Sequence, residues 1–181
     1  MFTLSEENYL KAIYHLQLDT NEGISTNAIA QKLQTKASSV TDMIKKLSDK
    51  KVVVYKKYKG VTLTNLGKKT GANIVRKHRL WEVFLVEKLN FSWDEVHEVA
   101  EQLEHIKSPK LINQLDVFLG FPSYDPHGDP IPDADGNLKT IEKSLLSTLS
   151  KNESGICVGV NDSSSEFLQF LDKKGITLGK K

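Results

Sequence analysis

Apolar residues recur at helical spacing along most of this chain. In SEENYLKAIYHLQL (5–18), Tyr9, Leu10, Ile13 and Leu16 form one stripe behind Ser5, which predicts a helix with Ser5 as its N-cap. TNEGI breaks the pattern. STNAIAQKLQ restarts it behind Ser25 or Thr26, with Ile29, Ala30 and Leu33 inward. A short turn near Thr35 leads into ASSVTDMIKKLSDK, whose stripe is Val40, Met43, Ile44 and Leu47. Two short helices joined by a tight turn predict a helix-turn-helix. The period then changes. VVVYKKYKGVTLT is β-branched and aromatic with Gly60 near a turn, so it predicts a hairpin. A helix-turn-helix followed by a basic hairpin is the order of a winged helix.

Helical spacing returns from about Thr64 to Leu89, where Gly67 and Gly71 weaken the early turns. SWDEVHEVAEQLEHI predicts a further helix, with Ser92 as cap and Glu95 in the capping-box position. SPKLINQLDVFLGF predicts another, with Pro109 in its first turn. DPHGDPIPDADGN is dense in Asp, Pro and Gly and reads as a loop or linker. LKTIEKSLLSTLS predicts a helix, and the tail from Gly155 a short strand followed by a short helix.

Composition changes this picture little, and charge changes it more. The chain has 181 residues with an ordinary share of charged and apolar side chains, enough for one large or two small domains. Its longest apolar run is far below a membrane span, and MFTLSEENYL lacks the regions of a signal peptide. The single Cys157 suits a reducing compartment, so a cytoplasmic protein is expected. Net charge is only +2, but residues 36–77 hold twelve Lys or Arg and two acids, whereas residues 78–118 hold eight acids and four bases. A polyanion-binding half joined to a cation-binding half explains that asymmetry; two solvated helical faces would do so equally well.

The basic half offers a DNA reader. The second helix of a helix-turn-helix enters the major groove with its first residues near base edges. Here these include Ser38, Ser39 and Thr41, none of which makes the bidentate contact of Arg or Asn, so readout leans on shape and apolar contact. Lys36, Lys45, Lys46, Lys56, Lys57 and Lys59 supply charge for phosphates. One such lysine alone would be an ordinary solvated side chain; their density within a winged-helix pattern favours double-stranded DNA.

The acidic half offers a metal site. On a continuous helix, Glu101, Glu104 and His105 lie within roughly 80° of His97, opposite Val99, Leu103 and Ile106. His78 and Glu82 share a face of the preceding helix. Any one of these residues is more often structural; their convergence favours one or two divalent ions, and oxygen and nitrogen donors without sulfur suit Mn²⁺ or Fe²⁺. Two other motifs carry less. HEVAE lacks the second histidine of a zinc protease, so a metal-dependent hydrolase is a distant alternative and no enzyme is expected. DADGN lacks the bidentate Glu of a calcium loop.

At this point the chain resembles the metal-dependent repressors typified by the diphtheria toxin repressor and the manganese transport regulator. The resemblance rests on ENYLKAIYHL, SSVTDMIKKL, YKGVTLTNLGKK, RKHRLWEVFL, HEVAEQLEHI and GFPSYDPHGDPIP. It implies a mainly α protein. A winged-helix DNA-binding domain (1–72) would precede a helical metal-binding and dimerisation domain (73–138), with a partial SH3-like segment in 139–181. It implies His78, Glu82 and His97 as one metal site and Glu101, Glu104, His105 and Asn8 as another, the latter bridging the two domains. Asn8 and Lys11 stand where small manganese regulators have acids, which points to two separated sites rather than a bridged pair. Glu101, where iron-type members have Cys, favours Mn²⁺ over Fe²⁺. Asp162 and Glu166 are weaker candidates as ligands from the tail. The expected function is a homodimeric, metal-activated repressor of metal-uptake genes acting on palindromic operators.

Overall fold

The computed structural model describes residues 1–18, 20, 22–139 and 141–179. The predicted break at TNEGI includes Asn21, and the predicted helix after residue 138 includes Thr140; both lie outside that range. The protein is mainly helical, and its chain divides into two compact units, residues 1–75 with 134–137 and residues 76–133 with 138–181.

The first unit begins with helix α1 (Leu4–Leu18). Its cap is not Ser5. Thr3 Oγ1 accepts from the Glu6 amide at 3.3 Å, and the Glu6 carboxylate accepts from the Thr3 amide at 2.8 Å. This reciprocal pair is a capping box two residues before the predicted cap, and Lys50 holds the same carboxylate at 2.7 Å. Helix α2 (Thr26–Lys32) is capped by Ser25, whose hydroxyl accepts from the Ala28 amide. Helix α3 (Ala37–Asp49) buries Val40, Ile44 and Leu47, half-buries Met43 and exposes the other intervening residues. Strands β1 (Val53–Lys56) and β2 (Gly60–Leu63) pair antiparallel, Val53 opposite Leu63 and Lys56 opposite Gly60. Ile24 exchanges two 2.8 Å backbone hydrogen bonds with Val61, tying the segment before α2 to the hairpin. Leu10, Ile13, Ile29, Val40, Leu47, Val52 and Val61 are fully enclosed and make this unit's core.

Helix α4 (Asn65–Leu89) starts in the first unit and continues into the second. There it is joined by α5 (Val96–Leu103), α6 (Pro109–Phe118) and α7 (Ser165–Lys173). The core gathers Leu80, Val83 and Leu85 from α4, Val96 and Ala100 from α5, Ile112 and Leu115 from α6, and Ile131. Ser108 caps α6 with Pro109 in its first turn, as the sequence predicts.

Two expectations are corrected and a third finds no support. First, α5 is shorter than predicted. Ser92 and Glu95 do pair, at 2.7 Å between side chains, but regular helix begins at Val96 and ends at Leu103. A tight turn follows (Ile106 N to Leu103 O, 3.1 Å), and Ser108 must leave helical geometry ahead of Pro109. Second, the helix expected in 138–150 is absent among the described residues. Only a 3-10 turn, Leu146–Thr148, forms there; Ile141, Leu145 and Leu146 are exposed, so the apolar stripe has nothing to pack on. Third, no SH3-like sheet is seen among the described residues of 139–181. The expected strand near Val160 gives its amide to the carbonyl of His127 at 3.0 Å instead of to a partner strand. Among the described residues no helix is long and apolar enough to cross a membrane.

Candidate metal centre and nucleic-acid interface

The spacing of α3 decides which residues face outward. Because Val40, Ile44 and Leu47 turn into the core, Ser38, Ser39, Thr41, Lys45 and Lys46 are exposed, with Lys36 at the N-cap. Thr41 donates its hydroxyl to the carbonyl of Ala37 at 3.0 Å, which leaves its methyl and oxygen lone pairs outward. Lys45 sits 3.4 Å from Asp42, both well exposed, so the pair contributes little stability. In the hairpin, Lys56, Lys57 and Lys59 are all exposed. They flank a residue that sequence reasoning passed over. Tyr58, at the tip, is 93 % exposed, holds φ of 64° and lies 5.1 Å below the Lys57 ammonium. An aromatic ring between three lysines was the available signal.

The metal candidates fall into a different setting. One helical turn apart on α4, His78 and Glu82 are buried, and His97 of α5 lies against them. His78 Nε2 is 3.0 Å from Glu82 Oε1 and 3.2 Å from His97 Nδ1, and His97 Nδ1 is 3.5 Å from Glu82 Oε1. The donor atoms of this triad lie within 4.8 Å of one another. A transition ion takes nitrogen and oxygen donors at about 2 Å, so small side-chain rotations would close the group on a cation.

Glu104 reaches this group from behind. Almost fully buried, at 1 % exposure, it accepts from His78 Nδ1 at 2.6 Å. With a cation bound, that bond would hold the proton on Nδ1 and leave the Nε2 lone pair for the ion, beside Glu82 and His97. This is how a carboxylate behind an imidazole orients a metal ligand. His105 Nε2 lies 3.8 Å from Glu104, and Glu101, half exposed, lies 3.5 Å from His97 Nε2. Among the described residues, Glu101, Glu104 and His105 do not close into a triad like that of His78. Asn8 is exposed on α1. Asp162 is exposed and accepts from the Ser164 amide, and Glu166 is exposed on α7.

A second triad was not foreseen. Glu82, Asp125 and His127 also hold donors within 4.8 Å of one another, all three buried. Asp125 and His127 come from the segment read as a linker, and a histidine between Asp125 and Asp129 was the missed signal. The segment is rigidly built. Asp125 Oδ1 accepts from the amides of His127 (2.9 Å) and Asp129 (3.0 Å). Arg79 meets Asp125 at 3.3 Å and Asp129 at 3.1 Å and donates to the Pro130 carbonyl. Gly128 holds φ of 84°, and a Cβ there would sit 2.2 Å from the Val158 carbonyl oxygen, so no other residue fits.

Electrostatics confirm that Glu82 is the hub. Burial alone would push its pKa up, yet contacts from His127, His78 and His97 hold it well below the ordinary carboxylate range. Burial works against a charged His127, but Glu82, the Trp93 carbonyl and Asp125 outweigh it and lift its pKa to about 9. Asp125 is pushed up to about 6 by burial and by the charge of Glu82, against the pull of Arg79. The proton held on His127 thus offsets the charge of a buried carboxylate. A divalent cation can take its place, so the residues fit a metal.

Comparison with known proteins identifies both halves of the chain. Residues 1–61 match the family described as "Iron dependent repressor, N-terminal DNA binding domain", and residues 64–133 match "Iron dependent repressor, metal binding and dimerisation domain". A helix-turn-helix transcriptional regulator MntR from Oceanobacillus iheyensis is 33% identical over 145 residues, 80% of this chain and 91% of that protein. An uncharacterised helix-turn-helix regulator from Methanocaldococcus jannaschii is 37% identical over 64% of this chain and 92% of its own length. A solved manganese-dependent transcriptional repressor in complex with manganese superposes with a TM-score of 0.85 at 37% identity, over 96% of this chain and 80% of that one. These are regulators, not enzymes. The chain belongs to the iron-dependent repressor family of DNA-binding, metal-dependent transcriptional regulators.

Proposed function

We propose that this protein is a Mn²⁺-activated repressor that binds a palindromic double-stranded operator as a homodimer in the cytoplasm and controls genes of metal uptake. The observation that carries the reading is the Glu82 carboxylate, buried among His78, His97 and His127 with Asp125 at hand and no sulfur donor in either triad. Such donors suit Mn²⁺ and Fe²⁺. The manganese dependence stated for a close structural relative favours Mn²⁺. The bound ion would supply positive charge in place of the His127 proton. The chain's own residues do the rest: Glu104 orients His78, Arg79 holds Asp125, and Glu82 offers one oxygen to each triad. The set Glu101, Glu104, His105 and Asn8 is proposed on family resemblance.

On DNA, the exposed start of α3 would read the major groove, while Lys36, Lys45, Lys46, Lys56, Lys57 and Lys59 meet phosphates. A dimer places two such helices on half-sites about one helical turn, roughly 34 Å, apart. If metal raises DNA affinity, DNA must raise metal affinity by the same factor. The test is a titration of the metal-free protein with Mn²⁺, Fe²⁺ and Zn²⁺ while fluorescence polarisation follows operator binding. Mn²⁺ is expected to activate at the lowest free concentration. Activation by Fe²⁺ at a lower concentration would assign the protein to iron, and DNA binding indifferent to all three would refute the reading.

A further inference from the structure

His127 is oriented from behind. Its Nε2–H donates to the backbone carbonyl of Trp93 at 2.7 Å, so Nδ1 is the nitrogen left to face Glu82, 3.8 Å away. The Trp93 indole also stacks on the imidazole, with centroids 6.3 Å apart and planes 11° from parallel. The Trp93–Asp94 corner is in turn clamped by α7. Trp93 Nε1 donates to Asp172 at 3.0 Å, and Asp94 Oδ2 accepts from Ser165 (3.0 Å) and Gln169 (2.9 Å). α7 is further anchored by Leu168 and Leu171, both buried. Three polar contacts from one short helix therefore converge on Trp93, which holds the imidazole, and on its neighbour Asp94.

We propose that α7 is a positioning element for the Glu82–Asp125–His127 metal group, acting through Trp93: docking of the carboxy-terminal helix sets the orientation of His127 and so the ion affinity of that group. The proposal rests on the metal reading above and goes beyond it, because none of these α7 residues is itself a ligand. A partner behind a metal-bound histidine sets ring orientation and donor strength, and its loss costs on the order of 10- to 100-fold in affinity when it touches the ligand directly. Ser165, Gln169 and Asp172 act one step further out, so a smaller loss is expected. Linkage supplies a second signature: if docked α7 favours the ion, the ion must favour docked α7.

The experiment uses the full chain and Mn²⁺ alone, with calorimetry for affinity and amide hydrogen exchange for residues 165–173. Ser165→Ala/Gln169→Ala/Asp172→Ala alters only exposed side chains of α7 and is expected to weaken Mn²⁺ binding about fivefold, below the range for a direct partner. Trp93→Phe keeps the stacked ring and the carbonyl but loses the indole donor, and about a threefold loss is expected. Adding it to the triple variant should weaken binding no further, since its acceptor is already gone. Mn²⁺ should slow exchange along α7 in the wild type but not in His127→Ala. The positioning role is overturned if His127→Ala loses the ion while the α7 variants keep wild-type affinity and Mn²⁺ leaves α7 exchange unchanged. Wild-type affinity in His127→Ala would instead overturn the assignment of this group as an ion site, and the positioning role with it.

Discussion

The two functional regions are built on opposite principles. On the winged helix, Ser38, Ser39, Lys46, Lys56 and Lys59 project into solvent from a core made by other residues. Around Glu82 the functional side chains are buried except for the half-exposed His97, and most are held by others: His78 by Glu104, Asp125 by Arg79, His127 by Trp93. Phosphate charge adds up one residue at a time, so the first region tolerates loss and degrades gradually. A closed ligand group fails as a unit. The difference is one of coupling, and substitutions can measure it.

The largest effect is expected at the hub. Glu82→Ala removes the oxygens common to both triads and should lower Mn²⁺ affinity at least ~100-fold, with metal-activated DNA binding lost alongside, as followed by calorimetry and fluorescence polarisation. Retained affinity would mean the two triads are not one system. Next comes Gly128→Ala, which forces a Cβ onto the Val158 carbonyl; roughly tenfold weaker Mn²⁺ binding and a lower melting temperature are expected. On the basic side, Lys56→Ala/Lys57→Ala/Lys59→Ala should flatten the slope of log affinity against log salt by about 3, from a value near −5 for six phosphate contacts. An unchanged slope would take the hairpin out of the interface. A single Lys45→Ala should cost only about two- to threefold in DNA affinity, with Mn²⁺ binding unaffected.

The pH response separates the regions more finely. His127 is raised from its ordinary 6.5 to about 9, so it stabilises the metal-free fold fully below about 6.5 and loses that contribution as pH climbs through 9. Metal-free protein should therefore melt at a lower temperature at pH 9 than at pH 7, and His127→Ala should reduce the drop. An equal drop in both proteins would show that the imidazole is not charged by Glu82.

The winged helix was legible in the sequence because its signals are local. Ser25 before an apolar stripe, the change of period after Lys51 and the turn at Gly60 each act within a few residues. The metal site was legible only in part, for a physical reason. His78, Glu82 and His97 lie on helices whose periodicity places them, but Glu104 and His105 lie past the end of α5, where a face drawn from helical angles no longer applies. Asp125 and His127 belong to a segment with no period at all, shaped by an Asx turn, Arg79 and a left-handed glycine. The apolar stripe of 141–149 misled in the opposite sense, since periodicity without a surface to bury against makes no helix.

The hairpin tip has one more implication. Lys59 closes back on Lys56 at 3.0 Å, Tyr58 already holds its left-handed bend, and Gly60 is pressed against the carbonyl of Ile24 with no room for a side chain. The loop that carries the cations therefore arrives pre-bent. Immobilising a floppy arm would cost about 1–2 kcal/mol per residue at the moment of capture; here that ordering is completed during folding, and only the lysine ends have still to settle when a duplex approaches.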